Sequence, residues 1–132
     1  MKKRRRKRKG GHYHRGLHVS PKAGECKFRS GWEQAYMIWL DSNVDVTSYT
    51  YEKTIIEYVS NKKTGKIRKY FPDFLVEYSD HSELIEIKPA KRLEQARVKK
   101  KLAAAELWCT AHGIVFRVIT ENELRPMGLI KR

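Results

Sequence analysis

The sequence predicts an α/β (α+β) domain in which helices flank a mixed β-sheet. Three features of the 132 residues carry this prediction: an amphipathic helical segment that begins near residue 30, β-rich segments between residues 44 and 88, and a second helix followed by one more strand. Hydrophobic residues make up 40% of the chain, enough for one modest core. The strand–helix–strand order in the second half lets its last strand run parallel to an earlier one, which makes the sheet mixed.

The first predicted helix lies in the segment SGWEQAYMIWLD. Ser30 is a suitable N-cap, and Glu33 three residues later completes the pattern of a capping box. Apolar residues at helical spacing then predict one buried face. The residues on this face are Trp32, Ala35, Tyr36, Trp39 and Leu40.

The β-rich region begins with residues 44–60, whose many Val, Ile, Thr and Tyr residues predict one or two strands. A turn at residues 61–65 leads to a long strand, KIRKYFPDFLVEY, in which Pro72 marks an edge, a bulge or a bend because proline cannot donate a ladder hydrogen bond. The segment ELIEIK is the next strand, so we expect an antiparallel meander of about three strands. Three further strand acids, Glu52, Glu57 and Glu77, are interpreted as facing solvent.

The second predicted helix spans residues 93–112 and ends at Gly113, a favourable C-cap. Its apolar stripe contains Val98, Leu102, Ala105 and Cys109, widened by Leu107, Trp108 and Ala111. The run IVFRVI predicts a strand buried on both faces. Thr120 and Glu123 repeat the capping-box pattern and predict a short helix after it.

The charge of the chain indicates a polyanionic partner. It has 29 Lys and Arg against 15 Asp and Glu, and eight of the basic residues form an unbroken run at residues 2–9. Nucleic acid is the favoured partner, since phosphate contacts release counterions, and an anionic membrane surface or a tail kept for solubility are the alternatives. We expect residues 1–29 to form a basic, largely irregular arm and residues 30–132 to form the folded domain.

Composition also limits the location and the cofactors. No apolar run approaches the roughly 20 residues that a membrane helix needs, and no apolar segment follows the basic run as it does in a secretory signal. Cys26 and Cys109 are too few for a disulfide framework, which indicates a reduced, cytoplasmic environment. Zinc binding by His12, His14 and His18 with Cys26 is disfavoured, because the spacing is irregular.

The candidate chemistry lies in YFPDFLVEYSDHSELIEIKP, residues 70–89. Side chains alternate along a strand, so Glu86 and Lys88 share one face, and antiparallel pairing can bring Asp73 beside Glu86. Two carboxylates held close together need a proton or a cation between them, and Mg²⁺, for which Mn²⁺ can substitute, is the cation suited to carboxylate and phosphate oxygens. Lys88 would then act on the attacking water or the phosphate. A surface ion pair between Glu86 and Lys88, and a capping role for Glu33, are the structural alternatives.

These residues, PDF and then EIK on the next strand, resemble the PD-(D/E)xK nuclease superfamily. The resemblance implies a restriction-endonuclease-like αβββαβ core and an Mg²⁺-dependent endodeoxyribonuclease. It implies catalytic roles for Glu33, Asp73, Glu86 and Lys88. It also implies metal ligation by Asp73, Glu86, the backbone carbonyl of Ile87 and, from the first helix, Glu33.

Over residues 28–124, the order WE, YFPDFLVEY, ELIEIKP and VITENEL is similar to two nuclease families. One is the catalytic domain of TnsA, the endonuclease subunit of Tn7-type transposition, and the other is the head-completion nucleases of T4-like phages. We favour the phage family, because the lead-in GHYHRGLHVSPK is similar to that of the short phage proteins. TnsA proteins usually carry a further C-terminal domain, for which a chain ending at Arg132 leaves no room.

The resemblance implies DNA as the substrate, with phage portal or neck proteins, a transposase subunit or a second copy of the chain as candidate partners. The expected location is the cytoplasm of a bacterial host, or the virion. A DNA-end or portal-binding structural protein without catalysis is the alternative from another functional class. The residues expected to contact DNA are Lys2, Lys3, Arg4, Arg5, Arg6, Lys7, Arg8, Lys9, Arg15, Lys91 and Lys99.

Overall fold

The computed structural model describes residues 15–131. The strands are β1 (Gly16–Ser20), β2 (Gly24–Phe28), β3 (Val46–Tyr51), β4 (Ile56–Asn61), β5 (Lys66–Tyr70), β6 (Phe74–Tyr78), β7 (Ser82–Ile87) and β8 (Val115–Ile119). The helices are α1 (Gly31–Ser42), α2 (Ala96–His112) and α3 (Glu121–Leu124), with a 3₁₀ turn at Ala90–Arg92. None of the helices between residues 15 and 131 is both long and apolar enough to cross a bilayer.

The central sheet has the strand order β3-β6-β7-β8. β6 pairs antiparallel with β3 and β7, whereas β8 pairs parallel with β7 after the α2 crossover. The predicted mixed sheet flanked by helices, and with it the restriction-endonuclease-like core, is confirmed. The chain between α1 and α2 contains five strands instead of about three, because β4 and β5 form a separate two-stranded hairpin inserted between β3 and β6.

Pro72 explains why the long predicted strand is two strands. β5 ends at Tyr70 in the inserted hairpin, and β6 begins at Phe74 in the central sheet. Because proline has no N–H and disfavours a helical residue before it, ladder pairing stops here while the chain stays extended. The bend predicted at Pro72 is therefore present, and it transfers the chain from one sheet to the other.

Each face of the central sheet packs on its own cluster of apolar residues. On one face, Tyr36, Met37 and Leu40 of α1 contact side chains that include Phe74 and Ile85. On the other face, Leu84 packs with residues of the inserted hairpin and with Ala105 and Cys109 of α2. Cys109 is buried, as its position on the predicted stripe of α2 indicated. The strand alternation in β7 thus sends its side chains into two different layers.

The prediction of an irregular chain through residue 29 is wrong for the segment from Gly16 to Phe28. β1 and β2 form an antiparallel hairpin, and the buried Cys26 and Phe28 join the core around α1. Gly16 lies opposite Phe28, where a Cβ atom would come within 2.6 Å of the buried ring, so the ring in this position requires glycine there. The basic run at residues 2–9 lies outside the described residues.

Two predictions in the second half also need correction. β8 is not buried on both faces, since Val115 is 48% exposed, and within the described chain it pairs with β7 alone. Helix α2 begins at Ala96 instead of residue 93, and Leu107 is 74% exposed, so it does not widen the buried stripe. The C-cap at Gly113 and the capping box of Thr120 and Glu123 are confirmed.

Candidate active site

The β6–β7 pair brings Asp73, Glu86 and Lys88 to one place. Phe74 pairs with Ile85, and this register places the preceding Asp73 beside the end of β7, where its Oδ2 accepts a hydrogen bond from the Ile87 N–H at 2.7 Å. Glu86 Oε1 accepts from the Tyr70 hydroxyl at 2.7 Å, and its Oε2 lies 3.3 Å from Lys88 Nζ. The two carboxylates are only 6% and 4% exposed. Asp73 directly precedes β6 and Glu86 lies on β7, so the two predicted acids come together where these paired strands meet the cleft.

Glu33 reaches the same place from the first turn of α1. Its N–H donates to the Ser30 hydroxyl, which caps the helix, but its carboxylate does not bond back to Ser30. Instead Glu33 Oε1 accepts from the Arg29 N–H at 2.8 Å and from the Tyr51 hydroxyl at 2.6 Å. The capping box is therefore incomplete, and the carboxylate is held toward the end of β3.

Glu52 lies in a different place from the one that its sequence pattern predicts. It is not a solvent-facing strand residue. It follows β3 with a left-handed backbone (φ 54°), its N–H donates to the Asp73 carbonyl at 2.8 Å, and its carboxylate lies 3.3 Å from Arg29. A residue other than glycine in this backbone region is uncommon and often marks a functional position. The place of Glu52 beside Asp73 follows from the tertiary structure and could not be predicted from the sequence pattern.

Burial and mutual repulsion set the electrostatics of these acids. Burial, followed by the charges of Glu86 and Glu33, raises the pKa of Asp73 well above its ordinary value, although the Ile87 N–H acts in the opposite direction. Burial also raises the pKa of Glu86, against the lowering effects of Lys88 and the Tyr70 hydroxyl. Burial raises the pKa of Glu52, and the Arg29 guanidinium partly offsets this. The cluster is short of positive charge and favours a proton or a cation.

The two tyrosines beside the cluster remain hydrogen-bond donors. Burial and the neighbouring carboxylates raise the pKa of Tyr70, which lies against Glu86, and the pKa of Tyr51, which lies against Glu33. A phenol whose pKa is raised stays protonated at neutral pH. Each hydroxyl therefore fixes one carboxylate oxygen and leaves the other oxygen of that carboxylate available for a different partner.

The donor set fits a hard divalent cation. One carboxylate oxygen each from Glu33, Glu52 and Asp73 lie within 4.8 Å of one another. Glu86 is outside this close trio but is near enough to Asp73 to raise its pKa. Oxygen ligands of this kind suit Mg²⁺, Mn²⁺ or Ca²⁺, whereas zinc and copper sites use imidazole and thiolate.

Comparison with known proteins identifies the family of this chain. A sequence model described as "TnsA-like endonuclease N terminal" matches residues 43–121. A protein of Enterobacteria phage T4 named "Head completion nuclease" is 33% identical in an alignment that covers 76% of this chain and 82% of the phage protein. The chain belongs to the TnsA-like endonuclease family. The predicted relationship to both nuclease groups is therefore confirmed.

In this TnsA-like endonuclease domain, the acids lie in a cleft of about 670 Å³. The cations that line it are Arg15, Arg29, Lys69, Lys88, Arg92 and Lys101. Of the residues predicted to contact DNA, only Arg15 is among them within the described chain. Lys91 and Lys99 are exposed elsewhere, and Lys99 pairs with Glu94 at 2.9 Å. Arg29, Lys69, Arg92 and Lys101 were missed, because only the tertiary structure brings them to the cleft.

His18 and Cys26 have structural roles in the TnsA-like domain. His18 Nε2 lies 2.7 Å from Asp41 Oδ2, and Cys26 is buried in the core. His12 and His14 lie outside the described residues. His18 and Cys26 are therefore both engaged in contacts within the fold.

Proposed function

We propose that this TnsA-like protein is a metal-dependent DNA endonuclease that hydrolyses phosphodiester bonds. The observation that carries the proposal is the group of buried and half-buried carboxylates, Glu33, Glu52, Asp73 and Glu86, at a cleft whose rim is cationic. Several acids of raised pKa with one adjacent lysine form a costly arrangement for a purely structural site. The carboxylates could ligate a cation, and the adjacent lysine could pair with a phosphate.

The site contains acids that would bind the metal and hydrogen-bond donors that orient those acids. Asp73, Glu86, Glu33 and Glu52 would hold Mg²⁺ or Mn²⁺, together with the backbone carbonyl of Ile87. The Ile87 N–H orients Asp73, the Tyr70 hydroxyl orients Glu86, and the Tyr51 hydroxyl orients Glu33. When bound, the cation would supply Lewis-acid activation of the phosphate and of a water molecule.

Lys88 is the residue we assign to the reacting groups. Its ammonium lies 3.3 Å from Glu86, and its side chain is 17% exposed at the cleft. From this place it can hold the attacking water or offset the charge that develops on the phosphate. The backbone of Lys88 is fixed, because its N–H donates to the Ile119 carbonyl of β8 at 3.0 Å.

A plasmid-nicking assay tests this function. We expect the wild-type protein to nick supercoiled DNA with Mg²⁺ or Mn²⁺ and not with a chelator. Asp73→Asn should lower the rate by about 10³-fold or more, the range found when a group that acts on the transition state is lost. Asp45→Asn, at an exposed acid between α1 and β3, is the matched control and should nick like wild type.

The result against this proposal would be a folded wild-type protein that cuts no form of DNA with either metal. DNA binding without cleavage would then favour the DNA-end or portal-binding structural role. Salt-sensitive binding measured in the chelator should be the same for the wild type and Asp73→Asn, because the substitution removes no cation.

For the biological role we propose phage head completion or DNA-end processing in the cytoplasm of a bacterial host or on the virion. The support is the 33% identity to the T4 head completion nuclease over most of both chains. The partners that go with this role are portal or neck proteins and a second copy of the chain. A TnsA-like subunit that acts with a transposase is the alternative, and it would cut DNA only in the presence of that partner.

A further inference from the structure

The β4–β5 hairpin stands apart from the central sheet. Its two strands pair only with each other among the described strands. A two-stranded hairpin is marginal by itself, and this one is anchored on one face, where Ile56, Tyr58 and Tyr70 pack against α2. Lys100 of α2 adds a hydrogen bond from its Nζ to the Ser60 carbonyl at 2.8 Å. One face of the hairpin therefore packs against α2, and the opposite face is exposed to solvent.

The open part of the hairpin is densely basic. Residues 56–70 contain five cations and a single acid, Glu57. The five cations are Lys62, Lys63, Lys66, Arg68 and Lys69, and all are exposed. None of them forms an ion pair with an acid of the described chain. These charges repel one another, and no ion pair within the described fold compensates them.

The hairpin is continuous with the cleft that holds the acids. Lys69, Tyr70 and Phe71, at its base, line that cleft, and the Tyr70 hydroxyl bonds to Glu86. Phe71 is 46% exposed in this part of the cleft. A polyanion bound over the acids would therefore pass the hairpin.

We propose that the β4–β5 hairpin is a DNA-binding arm that grips phosphates to one side of the cleavage site. The inference rests on the proposed DNA endonuclease function and extends it to a second contact surface, separate from the basic run at residues 2–9. A strand of five or six residues is about 17–20 Å long. At about 3.4 Å per base pair, a hairpin of this length spans at most about five or six base pairs of DNA.

DNA fits this surface better than a protein does. The exposed apolar side chains of the hairpin, Val59 and Ile67, are opposite each other in the strand pairing and lie among the cations. The cores of protein interfaces are depleted of charge and of lysine in particular. A second copy of the hairpin would bring five cations against five more, whereas a phosphate backbone would neutralise them.

The test is the salt dependence of DNA binding, measured for the full chain in a chelator so that no cleavage occurs. In Lys62→Gln/Lys63→Gln/Lys66→Gln, we expect the slope of log K against log salt to fall by roughly 2–3, close to 0.9 for each phosphate that the protein no longer neutralises. The control, Lys27→Gln/Lys53→Gln/Lys131→Gln, removes the same charge from exposed positions outside the hairpin and should leave the slope near that of wild type.

Equal slopes for the two triple variants would overturn the proposal, since the hairpin would then contribute only net charge. It would also be overturned if Val59→Ser/Ile67→Ser changed the oligomeric state in sedimentation while the lysine variant bound DNA like wild type, because the face would then serve a protein contact. These binding measurements are independent of catalysis. A wild type that binds DNA but never nicks it would reject the endonuclease function and leave the hairpin comparison valid.

Discussion

Asp41 and Asp73 are both acids near the core around α1, but their surroundings are opposite. Asp41, in the last turn of α1, accepts hydrogen bonds from Ser20 at 2.6 Å and Tyr49 at 3.0 Å and contacts His18 at 2.7 Å. Burial works to raise its pKa, but the hydrogen bonds outweigh burial, and the pKa lies below its ordinary value. The fold thus stabilises the anion and uses it to fasten β1 to α1.

Asp73 receives one backbone hydrogen bond and otherwise lies near other acids. Burial and the charges of Glu86 and Glu33 raise its pKa, the reverse of the shift at Asp41. A fold selected only for stability would replace such an acid, because an unpaired buried charge is costly. The difference supports a structural role for Asp41 and the proposed metal-binding role for Asp73, and four experiments test this contrast.

The largest expected effect is on the nicking rate, and it should distinguish Lys88, beside Glu86, from Lys22, near the end of α1. Lys88→Ala should lower the nicking rate by about 10²–10⁴-fold, the contribution typical of a group that transfers or holds a proton in the transition state. Lys22 Nζ donates to the carbonyls of Leu40 and Asn43 at the end of α1, so Lys22→Ala should destabilise the fold and leave the rate per folded molecule unchanged. Equal loss of rate in both variants would contradict the assignment of Lys88.

The next effect concerns stability without metal. Asp41→Ala leaves three partly buried donors without their acceptor and should lower the free energy of unfolding by about 2 kcal/mol. Asp73→Asn removes repulsion and should leave that free energy unchanged or raise it. Urea unfolding at neutral pH in a chelator measures both values. The contrast fails if Asp73→Asn is the more destabilising of the two.

A smaller effect tests Glu52. Glu52→Gln should raise the Mg²⁺ concentration needed for half-maximal nicking by about 10-fold, a typical effect for a residue close to a bound metal. Glu106→Gln, at an exposed acid of α2 outside the cleft and the hairpin, is the matched control and should not change it. The Mg²⁺-dependent rise in melting temperature should weaken in parallel. A Glu52 variant with the metal dependence of wild type would return Glu52 to a structural role.

The smallest effect is the pH dependence of stability without divalent metal. The raised pKa of Asp73 means that the folded state binds more protons than the unfolded state above the ordinary carboxyl pKa of about 4. The free energy of unfolding should therefore fall as the pH rises through the raised pKa. Unfolding of Asp73→Asn across this range should show a weaker fall, and Mg²⁺ should reverse it in the wild type. A wild type whose stability rises throughout this window would contradict the shift.

Much of the candidate site could be predicted from neighbours in the sequence. Asp73 directly precedes β6, Glu86 lies on β7 and Lys88 directly follows it, so strand alternation together with the pairing across a short turn brings them together. Glu33 could be predicted from its helix turn and the family resemblance. Glu52 could not, since its direction depends on a left-handed backbone and on the pairing of β3 with β6, which joins residues far apart in the chain.

The β1–β2 hairpin had a signal in the sequence that the prediction of an irregular arm ignored. Leu17 and Val19 alternate with polar residues, as do Cys26 and Phe28, and the segment SPKAG between them is a turn signal. The neighbouring run of basic residues made the whole region look like an irregular arm. The apolar run of β8 led to a prediction of burial on both faces, although one face is partly exposed. A short apolar run cannot show whether a second element covers the strand.

Local signals in the chain suffice to predict the helix capped at Ser30, the bend at Pro72, the helix end at Gly113 and the alternation that puts Glu86 and Lys88 on one face. These follow from backbone geometry and the hydrophobic pattern within a few residues. Three features emerge only from the folded chain: Glu52 lies beside Asp73, the hydroxyls of Tyr51 and Tyr70 bond to the acids, and the β4–β5 hairpin borders the cleft. Those contacts depend on the pairing of distant segments, whose free energy is the sum of many weak interactions that no local pattern records.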